Sequence, residues 1–212
     1  MKQIFKLLAA GCLLLAVVSL SSCLSDNDDN SNAEQQWKEW YESLLKEVAA
    51  SHGHYAGYIY YQPSVMSTEL DSVAAEWDIV SDSIIELRGV PTRLFVEKLP
   101  ENQTALKDAV SAVGAVNMQV KIVFDVNYQS PLLFYLYPEP VTLNVSVDGQ
   151  AQTVIVNFNS SYTESKCYGH FLMSDGRCLL RMYPKSIVVD KNTVKYFNSA
   201  DCAYLFWLGK KQ

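Results

Sequence analysis

The usual hallmarks of catalysis are missing from this sequence. It holds no Gly-x-Ser-x-Gly turn, no His-Glu-x-x-His helix, no P-loop and no Gly-x-Gly-x-x-Gly. The nucleophile elbows, zinc helices and phosphate cradles built on those patterns are therefore excluded. Histidine occurs three times and cysteine five times, and no two cysteines form a Cys-x-x-Cys pair. Zinc knuckles and thioredoxin-like dithiol chemistry lack their ligands. Acidic residues outnumber basic ones, 23 to 17, and no basic run is longer than Lys210-Lys211. A chain of that balance has no cationic stripe to offer a phosphate backbone, so no nucleic-acid partner is expected.

Long apolar runs are also absent, with one exception. Leu7 to Leu20 carries no charge and follows Lys2 and Lys6. It is too short to span a bilayer and has the layout of a secretory signal peptide. Its end, Leu20-Ser21-Ser22-Cys23, resembles the bacterial lipobox, whose cysteine is diacylated and becomes the first residue of the mature chain. Two acyl chains hold a folded domain on a bilayer where one would bind only marginally. The organisation expected is a signal peptide over 1–22, a tether over 23–32 and a single domain over 33–212. Ser25 to Asn32 has no apolar residue, so it cannot offset its own ordering entropy. Asp26, Asp28 and Asn30 alternate like the first ligands of an EF-hand, but Ser31 stands where that loop needs glycine and Trp37 where it needs glutamate. A calcium loop is excluded.

Beyond the tether the period is helical. Trp37, Trp40, Tyr41, Leu44, Leu45 and Val48 share one stripe, placing an amphipathic helix up to about Ala50 with the stripe against a core. Further on the period becomes two. Strands are expected at 55–61, 76–80 and 83–90, short helices at 92–99 and 104–113, then strands at 118–128 and 132–137. Asp148-Gly149 and Asp175-Gly176 each mark a tight hairpin, because both can supply positive φ. A third hairpin is read around Asp190-Lys191-Asn192, and the apolar segment 203–208 closes the sheet. The fold class is α+β: a mainly antiparallel sheet, curved or closed into part of a barrel, with an N-terminal amphipathic helix and one or two short helices. If the Asp175-Gly176 turn has two residues, Met173 opposes Cys178 and Cys167 opposes Pro184. Those two cysteines are then too far apart to bridge, and any disulfide involves Cys202.

Several elements together resemble small Bacteroidetes-type lipoproteins built on one domain of unknown function. They are Gly57-x-Ile59-x-Tyr61, Trp77-Asp78-Ile79, Gly89-Val90-Pro91 ahead of a helix, and Leu132–Pro140 before an Asp-Gly hairpin. The acidic run after Cys23 is similar to the segment that follows the acylated cysteine in surface-exported members of that group. The resemblance implies a surface-lipoprotein context and supplies no catalytic residue.

The expectation for function is an outer-membrane, surface-exposed lipoprotein, attached at Cys23, that is a non-enzymatic binding or accessory module needing no cofactor. Tyr58 and Tyr60 share one strand face, and Tyr135 and Tyr137 share another. Flat amphipathic rings can cover a glycan, a small apolar molecule or an envelope protein, although rings on strands are more often core. The alternative is a metal-dependent hydrolase on His52 and His54, which stand at i and i+2, with His170 as a further ligand. A purely structural subunit of a surface complex is a third reading. Cys167 and His170, three apart on a strand, point to opposite faces and cannot act as nucleophile and base.

Overall fold

The computed structural model describes residues 30–61, 70–125, 131–160, 167–197 and 205–212. The expected signal peptide, Cys23, the acidic tether, the strand extension over 126–128 and Cys202 lie outside those residues. The chain divides into two compact units, one ending at Glu42 and the other running from Ser43 to Gln212. Helix α1 (Asn30–Ser51) contains that boundary. In the first unit Trp37 stacks on Tyr41 with ring centroids 5.4 Å apart; it is 49% exposed rather than core. In the second, Leu44 and Val48 are buried and Leu45 is exposed, so the inward stripe there is narrower than the six-residue pattern implies.

The second unit is mostly antiparallel strand. In chain order it contains β1 (Gly53–Tyr61), β2 (Asp71–Ser81), β3 (Ile84–Pro91), α2 (Arg93–Val96), a 3-10 turn (Glu101–Gln103) and α3 (Thr104–Ser111). Then come β4 (Ala115–Phe124), β5 (Leu132–Pro138), β6 (Val141–Val147), β7 (Gln150–Phe158), β8 (Tyr168–Leu172) and β9 (Arg177–Met182). The chain ends with β10 (Pro184–Val189), β11 (Asn192–Tyr196) and β12 (Leu205–Lys211). Eight strands close a barrel in the order β1-β12-β9-β8-β5-β4-β3-β2, and the other four form a separate sheet, β11-β10-β7-β6. A part-closed single sheet is thus replaced by full closure plus a second layer. The β6–β7 and β10–β11 hairpins leave the barrel and pair through β7 and β10. β5 then pairs directly with β8, and β9 with β12. Closure removes the exposed edges an eight-stranded sheet would otherwise carry.

Alternation decides the inside. Tyr55, Ile59, Trp77, Ile79, Leu87, Val120, Phe134, Leu136, Phe171, Leu180 and Trp207 are buried and occupy the inward parity of their strands. Tyr55 stacks on Trp77 with centroids 5.6 Å apart and meets Phe171 edge-on at 6.4 Å. An eight-stranded barrel is just wide enough for side chains to fill, and these large residues fill it. Beside the barrel, Leu94, Phe95, Val96, Leu106 and Val110 are buried. Phe95 packs edge-on against Phe158 of the second sheet at 5.5 Å. Thr92 is buried too, and its hydroxyl donates to the Val110 carbonyl at 2.7 Å, tying the approach to α2 onto α3.

The turns divide by chemistry. Asp148 and Gly149 both take positive φ and join Val147 to Gln150 as a two-residue turn, and Asp190 and Lys191 do the same between Val189 and Asn192. At the other Asp-Gly pair only Gly176 has positive φ. That turn is four residues long, with Leu172 opposite Arg177 and Phe171 opposite Cys178, so the register expected from a two-residue turn is corrected by one position on each strand. Asp175 spends its carboxylate on the Arg177 amide (3.1 Å) and guanidinium (2.6 Å), which holds the wider turn. Cys178 still lies well along the ladder from Cys167.

Candidate functional site

The four tyrosines singled out from the sequence all project outward from the barrel. Tyr58 is 50% exposed, and Tyr60, Tyr135 and Tyr137 are half-buried. β1 and β5 are not neighbours; β12, β9 and β8 stand between them. The cross-strand register fills the gap. Tyr60 opposes Phe206, which opposes Arg181, then Tyr168, then Tyr135. One step lower, Tyr58 opposes Leu208, then Leu179, His170 and Leu133. Two parallel rows of outward side chains thus cross five strands. Opposed residues on one face lie about 4.5–5.5 Å apart at Cβ, so each row is a continuous contact strip.

The strip has internal order. Tyr58 and Tyr60 lie 6.0 Å apart between centroids, and Tyr168 stacks on His170 at 5.0 Å. The Arg181 guanidinium sits 5.5 Å from the Tyr168 ring and 5.6 Å from the Phe206 ring, a cation between two π faces. The Tyr135 hydroxyl donates to Asp125 at 2.7 Å, which fixes that ring. Burial lowers the His170 pKa from its ordinary value, so this imidazole is neutral at neutral pH and belongs with the aromatic surface. The rest of the wall differs. On β2 and β3 the outward positions include Glu76, Asp78, Glu86 and Arg88. The strip is thus bordered on β2 and β3 by outward positions that include two ion-pairing residues, Asp78 and Arg88.

Tyr168, Arg181, Phe206 and Leu208 are functional candidates that reading along the chain missed. The signal was partial: Phe206 and Leu208 flank the buried Trp207, so their outward parity follows once that strand is accepted. Their adjacency to Tyr60 and Tyr58 depends on barrel closure.

The weaker candidates are placed as follows. His52 Nε2 lies 2.9 Å from Asp82, His54 Nδ1 lies 3.1 Å from Asp78, and Arg88 meets the other Asp78 oxygen at 2.5 Å. The two histidines thus face separate carboxylates. His170 is on β8, separated from β1 by both β12 and β9, and does not join them. Among the described residues no group of three or more His, Cys, Asp or Glu side chains gathers as metal ligands would. At the other end of β1, Tyr61 donates to the Asp71 carboxylate and accepts from Arg93 at 2.7 Å. Burial first, and Asp71 second, push the Tyr61 phenol up, and the Tyr61 hydroxyl holds Asp71 below the usual carboxylate range. This cluster ties β1, β2 and α2 together. Cys167 is buried and donates to the Asn159 carbonyl at 2.7 Å, while His170 faces outward. Burial pushes the Cys178 thiol up to about 12, leaving no nucleophilic thiolate at neutral pH.

No curated protein and no solved structure matches the chain. A family model described as a domain of unknown function, DUF4840, matches residues 50–189, about two thirds of the chain and the stretch from β1 through β10. The match stops short of β12, whose Trp207, Phe206 and Leu208 close the barrel and complete the aromatic strip. By this match the chain belongs to the DUF4840 family.

Proposed function

We propose that this protein is an acyl-anchored envelope module, displayed on the outer membrane, that binds on the outer wall of its barrel and catalyses no reaction. The observation that carries the reading is the aromatic strip running from β5 to β1 over an interior already filled by Trp77, Trp207 and Tyr55. A filled lumen favours a surface site over a carrier cavity for a small apolar molecule. Rings interleaved with a guanidinium suit stacking on sugar faces or on a partner protein's side chains. The anchoring half of the reading is supported by the Leu20–Cys23 motif and the uncharged run before it.

Two expected outcomes test this. Tyr58→Ala with Tyr60→Ala, screened against a panel of polysaccharides, is expected to weaken retention about 10- to 100-fold, as aromatic anchors do, with the melting temperature unchanged. Retention as strong as wild type would overturn the site. Cys23→Ala is expected to abolish acylation by intact mass and to move the protein from the detergent phase to the aqueous phase. A Cys23→Ala chain that still partitions with membranes would overturn the anchor.

The metal-dependent hydrolase keeps one supporting observation, the Asp78 carboxylate at His54 Nδ1, since a carboxylate in that position commonly orients an imidazole toward a metal at Nε2. Stoichiometric zinc retained through dialysis would favour it.

A further inference from the structure

Resting on the strip as the binding face, we propose that its ligand is an anionic polysaccharide. Acid groups lie over β9 and β12, and sugar rings over the outward aromatic side chains beside them. Acidic residues outnumber basic ones 23 to 17 in the chain, yet the five strands that carry the strip contain no aspartate or glutamate. They contain four cations, Arg177, Arg181, Lys210 and Lys211.

The four are placed differently. The Lys211 ammonium donates to the Ala50 carbonyl at 2.8 Å. Arg181 stands in the upper row between the Tyr168 and Phe206 rings. Arg177 and Lys210 oppose each other directly across β9 and β12, and both are exposed. Like charges so placed repel and cost stability unless negative charge meets them. Asp175 answers one of the two, taking the Arg177 guanidinium at 2.6 Å. Lys210 has no ion-pair partner among the described residues, so this end of the strip keeps a net positive charge. Arg181 lies four residues along β9 from Arg177, about 13 Å away in an extended strand. Leu179 and Leu208 fill the row between them.

Such a surface donates more than it accepts. Arginine and lysine side chains carry donors only. The hydroxyls of a neutral glycan need acceptors as well as donors, whereas carboxylate and sulfate groups only accept and form the stronger, charge-assisted bonds. The rings beside the cations offer flat apolar faces to the C–H faces of sugars. A partner polypeptide adds a strand only at an open edge, and the closed barrel presents none here. A second copy would bring the same cations against these and be repelled. On the far side of β1, Glu76 opposes Ala56 and is exposed. Its charge keeps an anionic chain over β12 and β9 rather than β2.

The test uses the full-length protein in a neutral detergent, with polygalacturonate, its uncharged methyl ester and dextran sulfate as probes. A polyanion is expected to bind at least about tenfold more tightly than the methyl ester, and less tightly as salt rises; the preferred polyanion tells carboxylate from sulfate. Lys210→Glu is expected to weaken that binding at least about tenfold, with the melting temperature at or above wild type because opposite charges then face each other across β9 and β12. Tyr58→Ala with Tyr60→Ala is expected to weaken it as well. Methyl ester bound as tightly as polygalacturonate, with Lys210→Glu without effect, would overturn the anionic ligand and leave the strip standing. Polyanion binding lowered by Lys210→Glu but not by the tyrosine double variant would overturn the strip as the site. Retention of neither polyanion, or equal affinity for phosphatidylglycerol vesicles, would overturn the anionic glycan, the latter in favour of a membrane surface.

Discussion

Trp207→Ala is expected to lower the unfolding free energy by about 3 kcal/mol, near the lower end of the range for deleting a buried tryptophan. The side chain is fully buried on β12, opposite Ile59 on one side and Leu180 on the other. Removing it leaves a cavity at the seam where the barrel closes, which the surrounding rings can only partly fill. The loss stays near the lower end because the indole N–H finds no oxygen or nitrogen acceptor among the described residues, and a buried unpaired donor already costs stability in the wild type. That argument makes Trp207→Phe a discriminating control: it keeps most of the apolar area, drops the unpaired donor and is expected within about 1 kcal/mol of wild type. Urea unfolding checks both, as a shift of midpoint at unchanged slope. If Trp207→Ala and Trp207→Phe are equally mild, residue 207 is not the plug of the barrel.

Gly57→Ala is expected to destabilise by about 3 kcal/mol, at the upper end of ordinary overpacking. The sign is informative, because replacing a mid-strand glycine by alanine ordinarily helps by about 0.5–1 kcal/mol. Gly57 opposes Gly209 at the β1–β12 seam. A Cβ on Gly57 would stand 2.2 Å from the Leu208 carbonyl oxygen and 2.5 Å from the Gly209 Cα, and one on Gly209 would meet the Ala56 carbonyl and the Trp77 ring, each at 2.5 Å. The obstacles at Gly57 are backbone atoms, which cannot swing aside as a flexible side chain could. The paired glycines let the two strands approach closely where the sheet bends shut. Thermal unfolding of Gly57→Ala at or above the wild-type midpoint would show that the seam has slack.

The legible part of the fold was local. The period of two at Leu132–Tyr137 put Tyr135 and Tyr137 on one face, and the structure keeps them together, with Leu132, Phe134 and Leu136 buried on the other. Asp148-Gly149 marked a two-residue turn because its φ preferences are carried by those two residues alone. Asp175-Gly176 looked the same and is a four-residue turn; the Asp175 carboxylate binds Arg177, an interaction the dipeptide does not announce. For the candidate site, Tyr58 with Tyr60 and Tyr135 with Tyr137 were correctly grouped in pairs, yet nothing along the chain connected the pairs. The connection runs through Tyr168, Arg181 and Phe206, which reach their places only because β8, β9 and β12 lie between β5 and β1.

The sequence by itself determined the strand periods, most of the turns, the dearth of catalytic patterns and the motif at Cys23 from which anchoring is proposed, since each depends on residues close together in the chain. The tertiary structure decided which face of the barrel strands is inside, that two hairpins leave the barrel, and that outward side chains from five strands, four of them bearing rings, meet in one strip. Alternation defines two faces without ranking them. Strand order is set by packing between segments far apart in the chain, where filling the interior with Trp77, Tyr55 and Trp207 and joining the last strand to the first outweigh local preference.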